Sequence, residues 1–308
     1  MTLARSLFCS ALIVAAGAAV AGTQPAPALP APGFHHLHLA AVDPEKAVAF
    51  YLQQFPSTKR DTFAGEAAVR TGNVLVLFAK VDAPPPLQPQ SAFWHFGWHV
   101  VDSHKNAAEY RRRGGVAMLP LYTADGDRTV TINTDSFPGM LTRSQVAQAN
   151  AGGVKPNPTG GWAYLGGPDG AVVEYQGDFP RERFNHVHMW QENPYCAEIW
   201  YDRHLNAKES ASWPRRSNPR PGEASCAVAK GEPTYPSLDR VGTVRSPAGG
   251  VTFDDVELHW YPRQGDRPLA GSRGQLMDHV ALSVPDLGAW KECKREFPRT
   301  MMLNHIKT

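Results

Sequence analysis

The sequence predicts an α+β fold made of four copies of one unit: a strand, a capped helix, then further strands. Three observations carry that prediction. Four segments, "HLHLAAVD" from His36, "HFGWHVVD" from His95, "HVHMWQEN" from His186 and "HVALSVPD" from His279, each place a histidine seven positions before an Asp or Asn. Each of those Asp or Asn residues opens a helical pattern. Strand-like runs such as "NVLVLF", "AVVEYQ" and "DVELHWY" come after. An internal repeat of this kind decides the architecture ahead of local propensity.

Taken in chain order, the first element is not part of that fold. "MTLARSLFCSALIVAAGAAVAG" has a basic start at Arg5, an apolar run from Leu7 to Val20 and a small-x-small site at Ala19-Val20-Ala21. This pattern predicts a cleaved signal peptide over 1–21, since the run is short for a bilayer core of about 30 Å. The Pro/Ala-rich stretch over 22–33 reads as an extended tether. The expected location is therefore periplasmic or secreted, from a bacterium, with no stable membrane span after cleavage.

The first unit begins at Phe34. Asp43 precedes Pro44 and Glu45, then Ala47, Val48, Tyr51, Leu52 and Phe55 at helical spacing. An Asp cap followed by Pro at the first helical position is a helix start. Asn193-Pro194 repeats it in the third unit, ahead of Ile199, Trp200 and Leu205. Asp102 caps "SHKNAAEYRRR", which stops at Gly114-Gly115, a ready C-terminal cap. Its three arginines face the negative end of the helix dipole. Asp286 opens "LGAWKECKREF". Between the second helix and Tyr164 lies a Gly/Pro/Asn/Thr-rich insertion with the character of a lid or binding loop, where Arg128 and Arg143 are either solvated surface residues or groups that neutralise an anionic substrate.

Composition excludes some function classes. Apolar residues make up 42% and charged residues 19% of the 308, with a formal net charge of +2. No Lys/Arg tract interleaves with aromatics, so a nucleic-acid groove has no support. Cys9 leaves with the signal. In an oxidising compartment Cys196 and Cys226 can close a disulfide, leaving Cys293 odd; buried reduced thiols are the alternative.

Strand alternation puts His36 and His38 on one face, and His95, Gly97 and His99 on one face. Several imidazoles on a surface that should be apolar call for a metal or a polar cavity to satisfy them. Hydrogen bonding within a wet cavity is the other way to do so.

With these units in hand, the chain resembles the vicinal oxygen chelate superfamily, the group of glyoxalase I, bleomycin-resistance proteins and extradiol dioxygenases. "HLHLAAVDPEKAVAFY" and "GGPDGAVVEYQG" carry the resemblance most specifically. It implies paired βαβββ modules whose sheets form cupped half-barrels. Consecutive modules are expected to pair, giving a first domain over 34–177 and a second, incomplete at the C-terminus, over 178–308. It also implies metal ligands on first and last strands: His36, His95 and Glu174. Two imidazoles and a carboxylate suit iron(II), with manganese(II) or zinc(II) as alternatives.

Tyr164, Pro168, Gly170 and Glu174 fall in register with the extradiol pattern, which makes Tyr164 the catalytic candidate beside the substrate. The family's acid–base histidine has no counterpart in "GGVKPNPTGGWA". His38, His99 and Arg143 are expected to line the site or bind substrate. His186, Glu257 and His279 are the counterparts in the second half, where unit four stops about one helix after His279. The resemblance thus implies an exported metal-dependent enzyme, dioxygenase- or lyase/isomerase-like, acting on a small oxygen-bearing molecule. The alternative is a non-catalytic binding protein of the bleomycin-resistance type. Expected partners are that small molecule and, as an option, a second copy of the chain.

Overall fold

The computed structural model describes residues 29–87, 91–119, 159–191, 194–210, 249–262 and 269–294, with short segments between 122 and 152. The expected signal peptide, Arg143, Asn193 and Cys226 lie outside the described residues. No described helix is long and apolar enough to cross a membrane.

The α+β repeat is present. Unit one comprises β1 (Gly33–Ala41), α1 (Pro44–Gln54), β2 (Lys59–Phe63), β3 (Glu66–Thr71) and β4 (Val74–Lys80). Unit two has β5 (Phe93–His99), α2 (Ser103–Arg113) and β6 (Met118–Leu119). Its inserted segment contributes β7 (Tyr122–Asp125), β8 (Arg128–Thr131) and β9 (Leu141–Thr142), and the unit closes with β10 (Trp162–Gly166) and β11 (Val172–Gln176). Unit three has β12 (Arg183–Gln191), α3 (Pro194–Leu205), β13 (Lys208–Glu209), β14 (Gly249–Phe253) and β15 (Val256–Pro262). Unit four contributes β16 (Met277–Ser283) and α4 (Leu287–Lys294).

The helix starts follow the capping chemistry. Asp43 accepts from the backbone N–H of Lys46 at 3.1 Å, Asp102 from Lys105 at 2.9 Å and Asp286 from Ala289 at 3.0 Å. Each bond satisfies an N–H that the first helical turn leaves unpaired. Gly114 ends α2 at φ 66°, where a side chain would be strained. Behind the sheets the helices bury an aromatic core, in which Phe55 stacks on Trp98 with centroids 4.2 Å apart.

Strand pairing departs from the expectation. The sheets run β16-β1-β4-β3-β2 and β13-β14-β15-β12-β5-β11-β10-β6, and β7-β8-β9 form a small separate sheet. Within a unit the first strand lies parallel to the last, as β1 does to β4, β5 to β11 and β12 to β15. Between units, first strand meets first strand antiparallel, but β1 pairs with β16 and β5 with β12. Units two and three therefore share one sheet, and units one and four the other. The divisions 34–177 and 178–308 are not separate bodies, because each contributes strands to both large sheets. Among the described residues β16 is an edge strand.

These inter-unit ladders share an irregularity. Register shifts fall between Phe34 and His36 in β1, and between Phe184 and His186 in β12. The partner strands shift likewise, so that Phe93 and His95, and Met277 and His279, flank one extra residue. A bulge therefore sits at His35, Trp94, Asn185 and Asp278, each immediately before the unit's first-strand histidine. Bulges break strict alternation and re-aim side chains beside functional sites.

Candidate metal centre

The eight-stranded sheet gathers a buried polar cluster from units two and three. His95 on β5, Glu174 on β11, and His186 and His188 on β12 each offer one ligand atom within 4.8 Å of all the others. Cross-strand register places them: His188 lies opposite His95, while His186 and Glu174 both flank Gly97. Gly97 makes room. A Cβ there would stand 2.5 Å from the Nε2 of His186 and 2.8 Å from the carbonyl of Glu174. Gly250 does the same for His259, whose Cδ2 would lie 2.6 Å from an added Cβ.

Oε2 of Glu174 is 2.9 Å from Nε2 of His95 and 3.7 Å from Nε2 of His186. The Nε2 of His186 and the Nδ1 of His95 are buried without a hydrogen-bond partner. His186 is held from behind: its Nδ1 lies 3.0 Å from Oδ1 of the bulged Asn185. An amide oxygen only accepts, so Nδ1 carries the proton and Nε2 presents its lone pair to Glu174. In unit two the bulge carries Trp94, which offers no acceptor, and Nδ1 of His95 stays unpartnered.

Burial sets the protonation states. It pushes His95 and His188 well below the ordinary histidine range, and neighbouring histidines add to the effect. It takes His186 to about 3 despite the opposing pull of Glu174. Burial raises the carboxyl of Glu174, against the nearby imidazole of His186. Neutral imidazoles are the form that binds a metal, and a cation among them would offset the burial of Glu174 and hold it as the carboxylate. Bonds of about 2.1 Å to one ion put ligand atoms roughly 3 to 3.5 Å apart, so the spacing around Glu174 and the orphaned Nε2 of His186 fit a cation.

The fourth member of the cluster, His188, has its Nε2 3.0 Å from Nδ1 of His259. Ser210 Oγ then bonds both Nε2 of His259 and Oε1 of Glu257, each at 3.0 Å. Tyr261 sets its hydroxyl 3.3 Å from Nδ1 of His188. Tyr164 lies directly across the hairpin from Glu174, its ring 5.1 Å from that of His95. Burial, and then the charge of Glu174, hold its phenol well above the ordinary tyrosine range. The bulged Trp94 stacks on Trp190 at 4.7 Å and meets Tyr261 edge-on at 5.1 Å.

The expected ligand set is thus brought together only in part. His95 and Glu174 meet, but His36 is not with them. It sits on β1 in the other sheet, its Nε2 3.3 Å from Nε2 of His279. The reason is the pairing of β5 with β12, which supplies His186 from unit three where a pairing of units one and two would have supplied His36. Glu257 faces Ser210 and His259 instead of completing an independent second centre with His186 and His279. His38 follows His36 into the five-stranded sheet, bonded to Glu66 at 2.7 Å. His99 stacks on Phe179 in the eight-stranded sheet, with burial and then Arg183 taking its imidazole to about 3. Sequence alone did not join His188, His259 or Gly97 to the site of Glu174, and it gave no sign of the bulged Asn185. The histidine at every second position of "HVHMW" was the available signal for His188.

No protein-family model and no curated protein sequence matches the chain. Solved structures do. A variant of glyoxalase I from Zea mays aligns over 85% of this chain and 78% of its own, with a TM-score of 0.50 at 16% identity. The fold is of the vicinal oxygen chelate type. Unmodified Zea mays glyoxalase I aligns over 85% of this chain and 78% of its own at 15% identity and a TM-score of 0.49. A variant of FosX, a fosfomycin resistance protein from Listeria monocytogenes, covers 46% of this chain and 86% of its own at 16% identity, with a TM-score of 0.28. Within the vicinal oxygen chelate fold of this chain, the buried His/Glu cluster lies where two units share a sheet.

Proposed function

We propose that this protein is a metal-dependent enzyme acting on a small oxygen-bearing molecule, with its centre at His95, Glu174 and His186. One observation carries the reading: Oε2 of Glu174 faces the Nε2 atoms of two buried neutral imidazoles, one of them without a partner. Iron(II), manganese(II) and zinc(II) all suit imidazole and carboxylate donors, and iron(II) is the leading candidate. A divalent ion bound there supplies Lewis-acid polarisation of a coordinated substrate oxygen.

The residues around it have separable tasks. Asn185 holds His186 in the ligating tautomer. Tyr164, kept protonated, offers a hydroxyl donor beside Glu174. His259, Ser210 and Glu257 fix the orientation of His188 from behind. Trp94, Trp190 and Tyr261 wall the cluster with aromatic surface, which keeps bulk water from its edge.

The N-terminal segment supports export of the mature protein. So does Cys196, which is disulfide-bonded, as suits an oxidising compartment. The test of function pairs elemental analysis of the purified protein with turnover assays on catechols and 2-oxoaldehydes. Metal that is lost in Glu174→Gln, together with turnover that follows it, is the expected result. Ligand binding with no turnover by the metal-loaded protein would favour the sequestering reading instead.

A further inference from the structure

We infer that Trp94 selects the substrate, and that what it selects is a planar aromatic ring carrying the reacting oxygens, a reading that rests on the metal centre proposed above. The four units serve as controls for one another. Each has a bulge directly before its first-strand histidine, and in three of them the bulged residue holds the imidazole that follows. Oδ1 of Asn185 lies 3.0 Å from Nδ1 of His186, Oδ1 of Asp278 2.6 Å from Nδ1 of His279, and Nδ1 of His35 2.7 Å from Nδ1 of His36. Unit two departs from this pattern. Its bulge carries Trp94, an indole with a donor and no acceptor, and Nδ1 of His95 is buried without a partner.

An unpaired buried polar atom costs stability, and a break with a local rule is expected where function needs the position. What unit two gains is an aromatic face at the centre. A bulge re-aims the side chains around it, and here the rings of Trp94 and His95 meet edge-on with centroids 4.1 Å apart. Trp94 also stacks on Trp190 at 4.7 Å, meets Tyr261 edge-on at 5.1 Å and lies within 25° of parallel to Tyr164 at 6.4 Å. Those three rings are closed off, with Trp190 0%, Tyr261 7% and Tyr164 3% exposed. Trp94 alone of the four is partly exposed, so it is the ring that an arriving molecule touches.

This wall offers ring faces and little else. The hydroxyl of Tyr261 is 3.3 Å from Nδ1 of His188, and that of Tyr164 bonds Glu174. Glu174 in turn faces Nε2 of His95 at 2.9 Å. A sugar needs several free acceptors along such a wall and a cation needs a free carboxylate; these four side chains supply neither. A planar ring needs only what is there. Aromatic rings favour offset-stacked and edge-on contacts at centroid distances of about 4.5–7 Å, and one more ring against Trp94 continues the set beside His95.

The test titrates the zinc(II)-loaded full chain, by calorimetry, with two chelators that share one head, benzohydroxamate and acetohydroxamate. Wild type is expected to bind the phenyl compound about 10- to 100-fold more tightly. Trp94→Asn should lose most of that preference while its acetohydroxamate affinity holds, and Trp94→Phe should keep most of it. Trp94→Asn should also bind zinc about 10-fold more tightly, because its amide can serve Nδ1 of His95 as Asn185 serves His186. Should Trp94→Asn not fold, Trp94→Leu reads the preference, down about 3- to 10-fold. In chelator, naphthalene-2,3-diol should still move the indole N–H resonance of Trp94, identified by its absence from Trp94→Phe. Equal wild-type affinity for the two hydroxamates, or a phenyl preference that survives in Trp94→Asn or Trp94→Leu, overturns this inference and leaves the proposed function standing. A chain that takes up no zinc counts against the proposed function alone if the Trp94 resonance moves, and against both if it does not.

Discussion

Gly97 and His186 occupy one space: the position of a Cβ on Gly97 is 2.5 Å from Nε2 of the imidazole on the neighbouring strand. The ring can lie across β5 only because that residue has no side chain. Gly97→Ala is therefore expected to displace His186 from Glu174. We expect metal affinity to fall about 10- to 100-fold, with a stability loss of about 1–3 kcal/mol from overpacking. Metal titration and urea melts of the variant measure both. Unchanged affinity would show that His186 is not a ligand.

Asn185 acts through His186. Asn185→Leu removes the acceptor for Nδ1 and frees the ring to present the wrong nitrogen, so metal affinity should drop about 10- to 100-fold. Asn185→Asp keeps an acceptor at that position and should restore most of it. A leucine variant that binds like wild type would assign the bulge a packing role only.

Glu174 and His186 should be coupled, and Glu174 and His36 should not. In double-variant cycles on metal affinity, the pair Glu174→Gln/His186→Ala should be non-additive by at least about 1 kcal/mol. The pair Glu174→Gln/His36→Ala should add within about 0.5 kcal/mol. The reverse outcome would return His36 to the centre from which the strand order removes it.

The metal-free protein should lose stability in mild acid. Above about pH 6.5 both folded and unfolded chains hold neutral histidines. Below it the unfolded chain takes up protons that burial denies to the folded one, at His95 and His188 and at His99 and His186, where the folded values are about 3. For lowered folded values the stability is fully present above pH 6.5 and is lost as pH falls toward 3. Each such histidine costs about 1.4 kcal/mol per pH unit. Glu174, raised by burial, acts with the opposite sign and offsets part of this at the acid end. Urea midpoints at pH 7.5, 6.5 and 5.5 in chelator should fall steeply over the last step. A flat series would mean that the imidazoles are charged or solvated.

Tyr164 tests the chemistry. Tyr164→Phe keeps the ring against His95 and removes the hydroxyl donor beside Glu174. Turnover is expected to drop about 10²-fold or more, within the range for a positioned proton donor, with metal content unchanged. Loss of metal in that variant would instead make the phenol a support for Glu174.

The sequence by itself determined the unit and its local chemistry. Asp43, Asp102 and Asp286 cap helices because an Asp side chain reaches its own helix start without help from elsewhere. Tyr164 meets Glu174 because a short hairpin sets its own register, and alternation placed His36 with His38 and His95 with His99. Which unit faces which was decided only in three dimensions. Strands β1, β5, β12 and β16 are similar apolar runs led by a histidine, and the backbone bonds that join them carry no side-chain identity. The choice of β12 over β1 as partner for β5 therefore rests on how whole units pack. That choice exchanged His36 for His186 at Glu174. The bulges at Asn185 and Asp278 were hidden for a related reason: an extra residue becomes visible only against the strand that it opposes.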